Sequence, residues 1–135
     1  MRILGIDYGD RTIGLAVSDK MLITAQALQS YKVKNKEEDI QFFKNLASKY
    51  NITEIVIGLP LRMDGSEGSR VKKTKHFASW LKKSLDIPVI YWDERLTTKQ
   101  ALRIMREKRL SNQKKKELVD QISAVIILSS YLNSL

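Results

Sequence analysis

A chain of 135 residues with 43% hydrophobic and 29% charged residues predicts a single domain over residues 1–135 with one sizeable core, and it has no apolar run long enough to span a membrane. No cysteine and a single histidine exclude disulfides and thiolate metal centres, leave little for a zinc site, and accord with a reducing cytoplasm. A net charge of +9 calls for a polyanionic partner, and the lack of a basic amphipathic terminal helix favours nucleic acid over a membrane surface.

Residues 2 to 7 form a short apolar run ending in Asp7, and a second run starts at Ile13, so a tight turn containing Gly9 predicts an antiparallel hairpin. A third strand is expected from Ile23 to Leu28. From Lys36 to Tyr50, Ile40, Phe43, Leu46, Ala47 and Tyr50 recur at helical spacing. Ile55 to Gly58 reads as a buried strand, and Leu59 to Arg70, with Pro60, Gly65 and Gly68, as a loop. That loop is a candidate flap over a site, with a plain connection as the alternative. A helix over Ser69 to Leu85 and a strand over Pro88 to Trp92 follow, which makes the sheet mixed, with parallel β-α-β units after the hairpin. Thr97 and Gln100 form a capping-box signal for a further helix, and Ser111 can cap a last helix running to about Leu132. Trp80 and Trp92 fall on apolar-patterned elements, so core packing is preferred over base stacking, and His76 is expected at the surface.

Ligands of α/β sheets gather where strands end, which singles out Asp7 and Glu94. Asp120 joins them because its helical face carries Ala124, Ile127 and Tyr131, where a carboxylate needs a partner or a metal, with a helix-edge Asp reaching solvent or pairing with a nearby lysine as the alternative. Three converging carboxylates suit a shared hard cation, Mg²⁺ or Mn²⁺. Asp10 and Asp19 have turn-capping as their default, and Asp93 is expected to face away from Glu94.

The positive charge is local. From Arg95 to Lys116, the basic residues Arg95, Lys99, Arg103, Arg106, Lys108, Arg109, Lys114, Lys115 and Lys116 are opposed only by Glu107, a net +8, and Glu94 and Asp120 flank the segment. These residues are the candidate nucleic-acid grip, with a solvated helix face as the alternative. Arg95 is also a candidate cation for transition-state charge, with a salt bridge to a nearby acid as its competing role.

The segments Gly5-Ile6-Asp7-Tyr8-Gly9, Ile13 to Asp19, Gly58-Leu59-Pro60-Leu61 with Met63 to Gly68, Asp93 to Thr98, and Asp120 with Ser123-Ala124-Val125 together resemble the YqgF family of Holliday-junction-resolvase-like proteins, also described as pre-16S rRNA nucleases. The resemblance runs nearly end to end. It implies an α/β, ribonuclease H-like fold with a mixed five-stranded sheet flanked by helices, and Asp7, Glu94 and Asp120 as catalytic acids binding Mg²⁺ or Mn²⁺. It also implies action on precursor 16S rRNA at its 5′ end, in the cytoplasm and in association with ribosomes, with 5′-phosphate and 3′-hydroxyl products. Resolvases of the RuvC type carry two acids three residues apart on the last helix, whereas Ser123 stands at that position here. Other readings are a nuclease for branched DNA and a non-catalytic RNA-binding or ribosome-assembly module. The Asp7 hairpin also resembles the phosphate-binding segment of actin-like ATPases and sugar kinases, but those need two lobes.

Overall fold

The computed structural model describes residues 1–62, 64–96 and 112–135, with Leu96 and residues 112–120 described through their backbone alone. Five strands form one sheet: β1 (Arg2–Asp7), β2 (Thr12–Ser18), β3 (Ala25–Lys32), β4 (Ile52–Leu59) and β5 (Val89–Asp93), in the order β3-β2-β1-β4-β5. The β1–β2 and β2–β3 pairs are antiparallel, and β1–β4 and β4–β5 are parallel. The expected mixed sheet of the ribonuclease H-like architecture is therefore present.

Alternation along the strands splits the interior into two layers. Leu4, Ile6, Ile13, Leu15, Val17, Ile55 and Ile57 face helices α1 (Lys36–Tyr50) and α2 (Ser69–Leu85), whose Phe43, Phe77 and Leu81 fill that side. Ile3, Ala16 and Val56 face the opposite way, onto Ala124, Ile127 and Leu128 of the last helix, α3 (Asn112–Asn133). The helix expected from Thr97 and the proposed cap Ser111 lie outside the described residues, as do Lys99, Arg103, Arg106, Lys108 and Arg109.

Local chemistry fixes the element ends. The Asn35 side chain accepts from the Glu38 amide, three acids occupy the first turn of α1, and Asn51 ends the helix in the left-handed region at φ 53°. The third strand starts later than expected and runs further. Asp19 Oδ1 accepts from the amides of Ile23 and Thr24, at 2.7 and 2.9 Å, which draws those residues into a turn before Ala25 begins pairing. The strand then continues to Lys32 because Thr12 offers a partner there. The fourth strand begins at Ile52 rather than Ile55. Polar Thr53 and Glu54 obscure its start, but Arg2 pairs with Ile52 and Ile3 with Glu54.

Ser18 is buried, and its Oγ accepts from the Ile3 amide at 2.8 Å, where β1 shifts register against β4. Ser18→Ala leaves that donor unpaired and is expected to cost about 1–3 kcal/mol, measured as a lower urea midpoint at an unchanged slope. Ser18→Thr, which keeps an acceptor, is expected to cost less. No helix among the described residues is long and apolar enough to cross a membrane.

Candidate active site

Strand alternation puts Asp7 on the same face as Ile3 and Gly5, the face covered by α3, and sends Tyr8 to the other. Gly5 allows the helix in: a Cβ there would stand 2.7 Å from Leu128 Cβ and 3.2 Å from the Ala124 carbonyl oxygen. Tyr131, near the far end of α3, donates to Glu54 at the start of β4. The helix therefore runs antiparallel to β1, and its earlier turns approach the Asp7 end. Asp120 lies on α3 one turn before Ala124. Its side chain, like those of Lys114, Lys115 and Lys116, lies outside what the structure describes.

Glu94 opens a short 3₁₀ turn immediately after β5. Its carboxyl group is hydrogen-bonded to that of Asp7, and it reaches there across β4 at Gly58. A Cβ at residue 58 would come within 2.6 Å of Glu94 Cγ and 2.8 Å of its carboxyl carbon. The two acids picked at separate strand ends are thus brought together. Burial, then the charge of Asp7 and its hydrogen bond, raise the Glu94 pKa to about 8 from an ordinary 4.5, and Arg70 on α2 offsets part of this.

This shift sets a pH dependence. Between pH 4.5 and about 8 the folded protein keeps a proton on Glu94 that the unfolded chain has released. Stability in EDTA is therefore expected to fall as pH rises through that window. Glu94→Gln should flatten this part of the profile, read as urea midpoints at successive pH values.

The donor set suits a hard divalent cation. Two adjacent carboxylates supply only oxygen, and their mutual repulsion is the kind a shared cation relieves. No group of three potential ligands forms among the described residues, and the third candidate, Asp120, is outside their side chains.

The neighbouring acids separate as expected in part. Asp19 caps its turn. Asp93 engages Arg95, whose Nε lies 2.9 Å and whose terminal amine lies 2.7 Å from Asp93 Oδ2. The Arg95 guanidinium holds the Asp93 carboxyl below its ordinary range, and the salt-bridge role weighed for Arg95 is the one its geometry displays. Asp10 pairs with Lys73 at 3.4 Å across exposed surface. Trp92 is packed as expected, edge-on to Tyr131 and donating to Ser130 Oγ at 3.0 Å. The connection from β4 to α2 is a hydrogen-bonded turn, in which Gly65, at φ 85°, donates to Arg62 and Asp64 accepts from Ser66. Its tip lies beside Arg95.

Sequence reasoning missed Arg70 and, with it, the charge of α2. That helix carries Arg70, Lys72, Lys73, Lys75, Lys82 and Lys83 and no acid. The lack of acids is legible in the sequence of the helix, whereas the approach of Arg70 to Glu94 is not.

Comparison with known proteins identifies the family and the fold. The family model described as "RuvX: Holliday junction resolvase" matches residues 1–134. A Halothermothrix orenii protein named "Putative pre-16S rRNA nuclease" is 50% identical over 98% of this chain and 95% of its own length. A protein of the same name from Clostridium acetobutylicum is 47% identical over the whole of both chains. Among solved structures, Thermus thermophilus RuvC in complex with a Holliday junction substrate superimposes with a TM-score of 0.58 at 14% identity, over 99% of this chain and 95% of that one. The fowlpox virus Holliday junction resolvase gives 0.56 at 15% identity over the full length of both. At such identities the structural likeness establishes the ribonuclease H-like fold alone, whereas the full-length sequence matches establish kinship: the chain belongs to the RuvX, or YqgF, family of resolvase-like nucleases.

Proposed function

We propose that the protein is a divalent-cation-dependent endonuclease that processes the 5′ end of precursor 16S rRNA. The observation that carries this reading is the Asp7–Glu94 pair, two carboxylates hydrogen-bonded at the carboxyl edge of the sheet. Asp7 and Glu94, together with Asp120 of α3, would hold Mg²⁺ or Mn²⁺. The bound cation would supply an activated water and charge stabilisation for in-line phosphodiester hydrolysis. Asp7 contributes a carboxylate fixed by the central strand of the sheet, and Glu94 one fixed by β5 and the gap at Gly58. Arg70 supplies positive charge beside Glu94, where an incoming phosphate adds negative charge.

The basic residues Arg95, Lys99, Arg103, Arg106, Lys108, Arg109, Lys114, Lys115 and Lys116 are proposed to grip the substrate backbone. Relatives bearing the pre-16S rRNA nuclease name support RNA as the substrate, and such a role places the protein in the cytoplasm, near assembling ribosomes. The test offers the purified protein a ribosomal RNA precursor and a four-way DNA junction side by side, with Mg²⁺ or EDTA. Cleavage of the RNA only with Mg²⁺ is expected. Cleavage of the junction alone overturns the choice of substrate, and undiminished cleavage in EDTA overturns the cation.

A further inference from the structure

We propose that a single-stranded segment of the nucleic-acid substrate leaves the Asp7–Glu94 edge along a track on α2, seating a phosphate between the β1–β2 turn and Arg70 and Lys73 and a base against Trp80. The proposal rests on the nuclease reading above and names the form of substrate that its site receives.

Two adjoining clefts make the track. The first, about 210 Å³, is lined by Tyr8, Gly9, Asp10, Arg70, Lys73 and Thr74. It begins one residue from Asp7, and one of its cations, Arg70, lies close enough to Glu94 to act on its charge. The second, about 260 Å³, has an apolar floor that includes Phe77 and Trp80, and Lys34, Lys36 and His76 are among its other lining residues. Tyr8 lines both clefts. Along α2, Arg70, Lys73, Phe77 and Trp80 follow at three- and four-residue steps, so they form one stripe of the helix.

The chemistry changes along the stripe in the order a polynucleotide needs. Near the acids are cations within reach of a backbone phosphate. The exposed Asp10–Lys73 pair, at 3.4 Å, is an interaction that a phosphate displaces easily. Further along is an aromatic surface. Phe77 stacks on Tyr8 with ring centroids 4.6 Å apart and lies 5.4 Å from Trp80, so the floor is rigid while Trp80 stays half-buried with one side toward the cleft. Asp39, which also lines this cleft, accepts from the Tyr31 hydroxyl and the Lys34 amide, and its charge is engaged internally. A cationic entry followed by an aromatic floor is a recognition surface for a single strand, whose bases are free to stack. A duplex keeps its bases stacked on one another and cannot use the floor.

The test measures binding in EDTA, where cleavage plays no part, so failure of the nuclease reading leaves its outcome intact. The probe is a labelled, unstructured RNA of about 12 nucleotides, followed by fluorescence anisotropy. Lys73→Glu is expected to weaken binding about tenfold and to reduce the dependence of log affinity on log salt by about 0.7. Lys82→Glu, at the other end of α2 and away from both clefts, is expected to change affinity less than about twofold. The protein has two tryptophans, so in Trp92→Phe the RNA should quench the emission of Trp80, whereas inorganic polyphosphate should not. Equal losses in the two lysine variants, or equal quenching by polyphosphate, would overturn the track. A four-way DNA junction that loses as much affinity as the RNA on Lys73→Glu would overturn its assignment to a single strand.

Discussion

Asp7→Asn is expected to lower the cleavage rate by on the order of 10³-fold, while the metal-free protein becomes more stable. Both effects have one cause. Burial and then the charge of Asp7 raise the Glu94 pKa to about 8 in the absence of a cation. An amide keeps the shape of the side chain and removes the charge, so a cation loses a ligand and Glu94 loses its closest repulsion. In EDTA at pH 8, Asp7→Asn should therefore melt above the parent protein. Adding Mg²⁺ should raise the melting temperature of the parent and scarcely that of the variant. Cleavage by the variant within about tenfold of the parent would remove Asp7 from the chemistry. Equal responses of both proteins to Mg²⁺ would remove the cation from the acid pair.

Gly58→Ala is the second large effect. The added methyl carbon would stand 2.6 Å from both Glu94 Cγ and Ile127 Cδ1, between a catalytic candidate and the helix covering it. Overpacking at such a position costs about 1–3 kcal/mol, and displacing a reacting group by about 1 Å can cost on the order of 10²-fold in rate. A companion substitution separates the two. Ile127→Val in the Gly58→Ala protein removes one of the colliding carbons and should recover part of the stability in urea titrations. Cleavage should stay low, because the collision with Glu94 remains. Full recovery of activity by the double variant would mean that Gly58 serves helix packing alone.

How far the sequence could be read depended on whether its signals were local. The bounds of α1 and α2 match the observed ones, because apolar spacing and helix-ending residues lie within each segment. The start of β3 was misplaced because Asp19 captures two amides further along the chain, a contact that hydrophobic patterning does not record. Asp7 and Glu94 were legible as acids at strand ends. Their meeting across Gly58 depends on the parallel register of β4 against β5, which pairs Gly58 with Trp92 just before Glu94. The effect of Arg70 on Glu94 arises only when α2 is laid against the sheet. Tyr8 shows the same limit: alternation sets it opposite Asp7, but its place between two clefts belongs to the assembled fold.

The two halves of the sheet differ in how far apart their partners lie in sequence. The β1–β2–β3 meander is made of near neighbours in sequence and can close early, whereas β1 waits for β4, and β4 for β5, before the parallel half exists. Asp7 therefore belongs to the half that closes early, and Glu94 reaches it only when β5 has joined β4. The pairing of the two acids therefore reports that both halves of the sheet have closed.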